Sequence, residues 1–126
     1  MSTKRILIVD DESDIREVAQ MSLEMVSGWQ VLTAESGDEG IAKAKQEKPD
    51  AILLDAMMPD MDGAATFEKL QADLSTKQIP VIMFTAKVQP ADRKRFADLG
   101  VKDVIAKPFD PMKLGGQITA ILGWSV

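Results

Sequence analysis

The feature that most constrains the fold is a run of four apolar residues that ends in a carboxylate. Ala51-Ile52-Leu53-Leu54 contains no polar break, and Asp55 follows it directly. Uninterrupted apolar character is typical of a strand covered on both faces, as in a parallel sheet packed between helices. Pro59 and Asp62-Gly63 then predict a loop. We therefore expect Asp55 at the carboxyl end of a central strand, where open α/β sheets bind their ligands.

Composition limits the chemistry and the partners of such a site. The chain has 126 residues, which suits one domain over residues 1–126. It contains no cysteine and no histidine, so carboxylates, lysine, arginine and hydroxyls must supply any chemistry. The net charge of −5 argues against direct nucleic-acid binding. Because neither a long uncharged apolar run nor a signal pattern is visible, we expect a cytoplasmic protein that does not bind membranes.

Strand and helix patterns alternate along the whole chain. Predicted strands cover residues 4–10, 29–34, 51–55, 81–85 and 101–106. The first strand has an unbroken apolar run over residues 6–9, and the third and fourth are apolar up to their last residue, whereas polar residues interrupt the second and fifth. Interrupted strands belong at the edges, and crossovers between parallel strands are right-handed. The pattern predicts a flavodoxin-like doubly wound α/β fold with a five-stranded parallel sheet of order 2-1-3-4-5, flanked by five helices.

Capping residues set the predicted helix boundaries. The predicted N-caps are Ser13, Ser36, Asp62 and Asp110. Pro90 and Gly100 are expected to begin and end the fourth helix. Leu74 continues the helical spacing of apolar residues in the third helix. In the last helix, Gly115 and Gly116 are each expected to cost about 1 kcal/mol relative to alanine.

Polar side chains follow the four strands that would be neighbours in this order. They are Asp10, Asp11, Asp55, Thr85 and Lys107. Carboxylates brought this close repel one another unless a cation lies among them. Oxygen ligands without histidine or cysteine favour Mg²⁺, with Mn²⁺ as a possible substitute. A carboxylate nucleophile beside a divalent cation, an ammonium and a hydroxyl meets the requirements for forming an aspartyl phosphate.

These segments resemble the receiver domains of response regulators in two-component signalling, in particular the single-domain, chemotaxis-regulator-like type. The resemblance lies in residues 8–11, residues 53–63, Thr85-Ala86 and Lys107-Pro108-Phe109, which occur in family order across essentially the whole chain. Each motif alone is weakly specific, whereas their conjunction is strong.

The resemblance implies that Asp55 accepts a phosphoryl group from a phosphohistidine. The donor would be a sensor histidine kinase or a histidine phosphotransfer protein. It also implies that Asp11, Asp55 and the backbone carbonyl of Met57 ligate Mg²⁺, while Asp10 holds the ion through water. The face formed by the fourth helix, fifth strand and fifth helix would then control an unidentified output protein, from a monomer or a phosphorylation-linked dimer.

The same resemblance implies that Thr85 and Lys107 bind the phosphoryl oxygens and that the Lys107-Pro108 bond is cis. Val104 departs from the family, because many members carry an aromatic residue there that reorients as the threonine moves. Valine has no large ring, so this chain lacks the group that performs the usual coupling. Met57 and Lys87 lie two positions after Asp55 and Thr85, and we expect their bulk to hinder the hydrolytic water and slow dephosphorylation.

Three other functions fit parts of the pattern. A haloacid-dehalogenase-type phosphatase needs a second aspartate two positions after the nucleophile, where this chain has Met57. A flavodoxin needs a phosphate loop after the first strand, where residues 10–12 are acidic. A degenerate receiver that acts only as a protein-binding module is opposed by the complete set of site residues. We therefore predict a phosphorylatable signalling domain, not an enzyme, which promotes its own phosphotransfer and dephosphorylation.

Overall fold

A computed structural model of the chain describes residues 3–124, which form five strands and five helices in strict alternation. The elements are β1 Arg5–Val9, α1 Ser13–Val26, β2 Gln30–Ala34, α2 Gly37–Glu47, β3 Ala51–Leu54, α3 Gly63–Ala72, β4 Val81–Thr85, α4 Pro90–Leu99, β5 Asp103–Ala106 and α5 Leu114–Leu122. Every strand pair is parallel, and the order β2-β1-β3-β4-β5 confirms the predicted fold. Within the described range, no helix has the length and apolar character needed to cross a membrane.

The central strands are buried because each supplies side chains to two cores. Leu54 packs with Phe67 of α3 and Phe96 of α4 on one face of the sheet. Leu53 packs with Leu23 of α1 on the other face. Successive residues of a strand point to opposite faces, so an uninterrupted apolar run serves both cores. Burying one such leucine fully contributes about 1.5–3 kcal/mol.

The polar residues in the second and fifth predicted strands do mark the two outermost strands of the sheet. Gln30 at the start of β2 and Asp103 at the start of β5 are both exposed. Two of the predicted caps are also confirmed, since Ser36 accepts a hydrogen bond from Glu39 N–H at 3.1 Å and Asp62 accepts one from Ala65 N–H at 2.8 Å. Gly100 ends α4 in the left-handed region, with φ +108°.

Three predicted helix boundaries were wrong. Ser13 lies inside α1, whose N-cap is Glu12, and the Asp10 carboxylate accepts the Glu12 N–H instead. Helix α3 ends at Ala72, so Leu74 lies in a turn with 80% of its surface exposed. Asp110 caps a turn, since its carboxylate accepts Met112 N–H, and α5 begins only at Leu114. At the latter two boundaries an aspartate, Asp73 or Asp110, accepts a nearby backbone N–H and competes with the helix.

The two glycines of α5 are not equivalent, contrary to the prediction. A Cβ on Gly115 would lie 1.9 Å from the Ser27 hydroxyl, so this glycine lets α5 approach α1 closely. A Cβ on Gly116 would meet no atom within 4 Å. Of the two, only Gly116 therefore lowers the stability of the helix without allowing a close contact.

Candidate functional site

The predicted site residues come together where the parallel strands end, which we call the carboxyl edge of the sheet. Asp10 and Asp55 directly follow β1 and β3, Thr85 ends β4, and Lys107 directly follows β5. The parallel register explains the convergence, because Val9 pairs with Leu54 at the ends of their strands. Asp10, Asp55 and Thr85 are buried, and only Asp11 of the predicted acidic residues is exposed.

The three aspartates form a cluster with one cation. Asp10, Asp11 and Asp55 each present a carboxylate oxygen within 4.8 Å of the others. The Lys107 Nζ lies 2.6 Å from Asp10 Oδ2 and 3.6 Å from Asp55 Oδ1. Because the Lys107 side chain is only 11% exposed, water screens these interactions weakly. Three carboxylates against one ammonium leave the cluster net negative when all are ionised.

Asp55 is the carboxyl group most affected by this environment. Burial raises the pKa of Asp55 from 3.8 to about 7, and Asp10 and Asp11 act in the same direction. The backbone N–H of Met57, which donates to Asp55 Oδ1 at 3.1 Å, and the Lys107 ammonium lower the pKa and only partly offset burial. At neutral pH the site therefore favours an added proton or cation.

The donor set fits a hard divalent cation. All three acidic side chains offer oxygen, and the sequence has no histidine or cysteine that would favour a softer metal. Asp10 is already engaged, since Oδ1 accepts Glu12 N–H at 2.9 Å and Oδ2 accepts from Lys107. That engagement suits contact with a cation through water, whereas Asp11 forms no ion pair with residues 3–124.

Beside the cluster lies an open cleft of about 480 Å³. It is lined by Asp11, Ala56, Met57, Met58, Pro59, Asp62, Lys87 and Arg95. Met57 is 58% exposed at this cleft. Sequence reasoning assigned no site role to Arg95, because its place on the cleft depends on how α4 packs.

Thr85 and Lys107 occupy settings that bear on their predicted roles. The buried Thr85 hydroxyl accepts a hydrogen bond from Lys87 N–H at 3.0 Å. The Lys107-Pro108 peptide bond is cis, as the resemblance implied. Val104 is buried on β5 opposite Met83 of β4, and its small side chain leaves no ring to exchange between positions.

Sequence analysis also missed Arg16, which contacts the site. Arg16 of α1 donates from Nη1 to the backbone carbonyl of Asp10 at 2.7 Å. A signal was present, because a basic residue near a helix N-terminus opposes the helix dipole and suggests a local partner. Only the packing of α1 on β1 reveals that partner.

The chain matches a known family over most of its length. The family model for the response regulator receiver domain matches residues 6–119. The alkaline phosphatase synthesis transcriptional regulatory protein PhoP of Bacillus subtilis is 40% identical over 119 residues, which are 94% of this chain and 48% of that protein. The chain thus spans about half the length of the curated relatives it matches.

Two solved structures share the fold and most of the chain. Chemotaxis protein CheY4 of Vibrio cholerae superposes with a TM-score of 0.89 at 28% identity, covering 95% of this chain and 99% of that one. The receiver domain of a sensor histidine kinase from Pseudomonas aeruginosa, which has magnesium coordinated in its active site cleft, gives 0.84 at 27% identity, covering 97% and 99%.

Proposed function

The chain belongs to the response regulator receiver domain family, and we propose that Asp55 is the residue that accepts its phosphoryl group. The observation that carries this proposal is the position of the Lys107 Nζ, 2.6 Å from Asp10 Oδ2 and 3.6 Å from Asp55 Oδ1. An ammonium held there would lie within reach of one oxygen of a phosphoryl group attached to Asp55. A buried carboxylate with a fixed cation beside it suits phosphoryl transfer, in which positioning and charge neutralisation supply the catalysis.

In the proposed reaction, a carboxylate oxygen of Asp55 attacks the phosphorus of a phosphohistidine. The new O–P bond forms as the N–P bond breaks, and the imidazole leaves with its electron pair and takes up a proton. Lys107 then donates to one phosphoryl oxygen. The Thr85 hydroxyl accepts from Lys87 N–H, which leaves its own proton available for another phosphoryl oxygen.

The proposed ligands of Mg²⁺, or of Mn²⁺ in its place, are Asp11, Asp55 and the backbone carbonyl of Met57, with Asp10 acting through water. When bound, the cation would neutralise charge on the carboxylates and on the transferring group. The support from this chain is the cluster of three acidic side chains with oxygens within 4.8 Å of one another. The raised pKa of Asp55 adds to it, since a cation would relieve the repulsion that helps to raise it.

We propose that the donor is a sensor histidine kinase or a histidine phosphotransfer protein and that the domain, over residues 1–126, works in the cytoplasm. The output is a protein partner contacted by the α4–β5–α5 face, and the net charge of −5 supports a role without direct nucleic-acid binding. The state during signalling is a monomer or a dimer linked to phosphorylation.

The proposal is tested by intact-mass measurement after incubation with acetyl phosphate, with and without Mg²⁺. The wild-type chain should gain one phosphoryl group only with Mg²⁺, and Asp55→Asn should gain none. Absence of any gain, in a chain whose circular dichroism shows it folded, would indicate a receiver that acts only by binding proteins.

A further inference from the structure

We propose that Arg16 is a positioning residue for the metal site, because it holds the peptide that joins Asp10 to Asp11. The inference rests on the proposed function, since it concerns how this chain would present its ligands to a divalent cation. Arg16 would touch neither the cation nor the phosphoryl group. Its effect would pass through the backbone of the loop between β1 and α1.

The contact joins a helix to the site loop. Arg16 lies one turn into α1, is partly buried, and donates from Nη1 to the Asp10 carbonyl at 2.7 Å. That carbonyl belongs to the planar peptide group linking Asp10 to Asp11, so fixing its oxygen fixes the direction in which the chain enters Asp11. Asp11 is exposed, and its side chain depends on the backbone for its placement.

Arg16 completes the set of contacts on Asp10. The Asp10 N–H donates to the Ala34 carbonyl at 3.0 Å, which ties the residue to β2. Its carboxylate accepts from Glu12 N–H and from Lys107, as described above. The carbonyl is the remaining polar group, and the Arg16 side chain satisfies it. Partners that orient ligands in this way commonly change metal affinity by 10–100-fold when removed.

The positive charge of Arg16 and its hydrogen bond should have opposite effects on the affinity for a cation. Arg16 forms no ion pair with any carboxylate in residues 3–124, so no partner neutralises the positive charge that it places on the backbone of Asp10. Removing that charge alone would strengthen the binding of a cation. Removing the hydrogen bond would weaken binding by loosening the loop. The sign of the change therefore separates the two effects.

The chain supplies a matched control at the other end of β1. Arg5 is also partly buried and donates from Nη1 to a backbone carbonyl, that of Glu47, at 2.6 Å. It adds an ion pair with the Glu47 carboxylate at 2.8 Å. Arg5→Met removes a contact of the same kind, from the same type of residue, at the opposite edge of the sheet. It should lower stability without changing the metal site.

The experiment measures cation binding to the unphosphorylated chain. Mn²⁺ is titrated while the electron paramagnetic resonance signal of the free ion is followed, and Mg²⁺ affinity is obtained by competition. For Arg16→Met we expect the Kd for both ions to rise about tenfold. Arg16→Lys keeps the charge and one donor, so its Kd should lie within about threefold of wild type. Arg5→Met should match wild type.

Each other outcome counts against the proposal in a distinct way. An unchanged or tighter Kd in Arg16→Met would overturn the positioning role, and so would an equal weakening in Arg5→Met, which would reveal general loosening. If Arg16→Met does not fold, Arg16→Gln, which is neutral and too short to reach the carbonyl, carries the same expectation. Failure of the wild-type chain to bind Mn²⁺ would overturn the proposed metal site itself, and with it this role of Arg16.

Discussion

Two aspartates, one where the strands end and one where they begin, have pKa values shifted in opposite directions. Asp55, at the carboxyl edge, has its pKa raised to about 7, chiefly by burial. Asp73, in the turn before β4 at the amino edge, has its pKa lowered to about 2. The hydroxyl and backbone N–H of Ser75 are the main causes, and Lys45 adds to them. Burial outweighs the partners that favour the charged form of Asp55, whereas the partners of Asp73 outweigh the effect of its burial.

Other side chains at the amino edge also have partners. The rings of Trp29 and Trp124 meet edge to face with centroids 5.4 Å apart, and the Lys4 ammonium lies 4.7 Å from the Trp124 ring centroid. Arg5 is paired with Glu47. These groups satisfy one another, whereas the carboxyl edge gathers three carboxylates around the single ammonium of Lys107. One edge therefore stabilises the domain, and the other retains repulsion that a ligand can relieve.

Removing the charge of Asp55 should change the free energy of unfolding more than any other substitution considered below. Because its folded pKa exceeds the unfolded value, the folded chain binds more protons between about pH 4 and 7, and the metal-free free energy of unfolding should fall as pH rises. The rise in the pKa of Asp55 from 3.8 to about 7 corresponds to at most about 4 kcal/mol. At pH 8 without metal, Asp55→Asn should be more stable than wild type by about 2–4 kcal/mol in urea unfolding, and the gain should shrink at pH 5.

Asp73→Asn is the control at the other edge. Its folded pKa is lowered, so its contribution is present above the unfolded pKa and lost as pH falls toward 2. The substitution should therefore destabilise the chain at pH 8, opposite in sign to Asp55→Asn. A stability change of the same sign in both variants would contradict the opposite pKa shifts of Asp55 and Asp73.

A smaller effect is expected from the packing beneath Asp55. A Cβ on Gly63 would lie 2.5 Å from the Asp55 carbonyl oxygen and 2.7 Å from the Ala56 Cα, and backbone cannot move aside cheaply. Gly63→Ala should cost about 1–3 kcal/mol in urea unfolding. Gly116→Ala, with open space around it, should instead stabilise by up to about 1 kcal/mol. Equal effects in both variants would mean that Gly63 does not support the site.

The smallest expected effect concerns the cleft side chains and the lifetime of the phosphoryl group. We propose that Met57 and Lys87, which line the cleft, hinder the attacking water. Replacing both with serine should speed loss of the phosphoryl group about tenfold, a change of roughly 1.4 kcal/mol in the barrier. The decay is followed by intact mass after removal of acetyl phosphate. An unchanged or longer lifetime would contradict this role.

The sheet order and the convergence of the site residues were predictable because they depend on patterns within single strands. Uninterrupted apolar runs marked β1, β3 and β4 as central, and polar residues marked the two edges. Parallel strands bring their carboxyl ends to one edge, so the residues following them had to meet.

What sequence could not provide were contacts between a side chain and distant backbone. The bond from Arg16 to the Asp10 carbonyl and the close approach of Gly115 to Ser27 depend on how helices pack. Ser13 is a favourable N-cap by type, but the Asp10 carboxylate already accepts the nearby Glu12 N–H. Local preference was overruled by a residue that belongs to the site.

Chemical mapping of the phosphorylated residue tests most directly whether Asp55 is the acceptor. Borohydride reduces an acyl phosphate on aspartate to homoserine, and peptide mass spectrometry then locates the altered position. After treatment with acetyl phosphate and Mg²⁺, we predict homoserine at position 55 and an unaltered aspartate at positions 10 and 11. Homoserine at either of those positions, or none in a chain that has gained a phosphoryl group, would contradict the assignment of Asp55 as the acceptor.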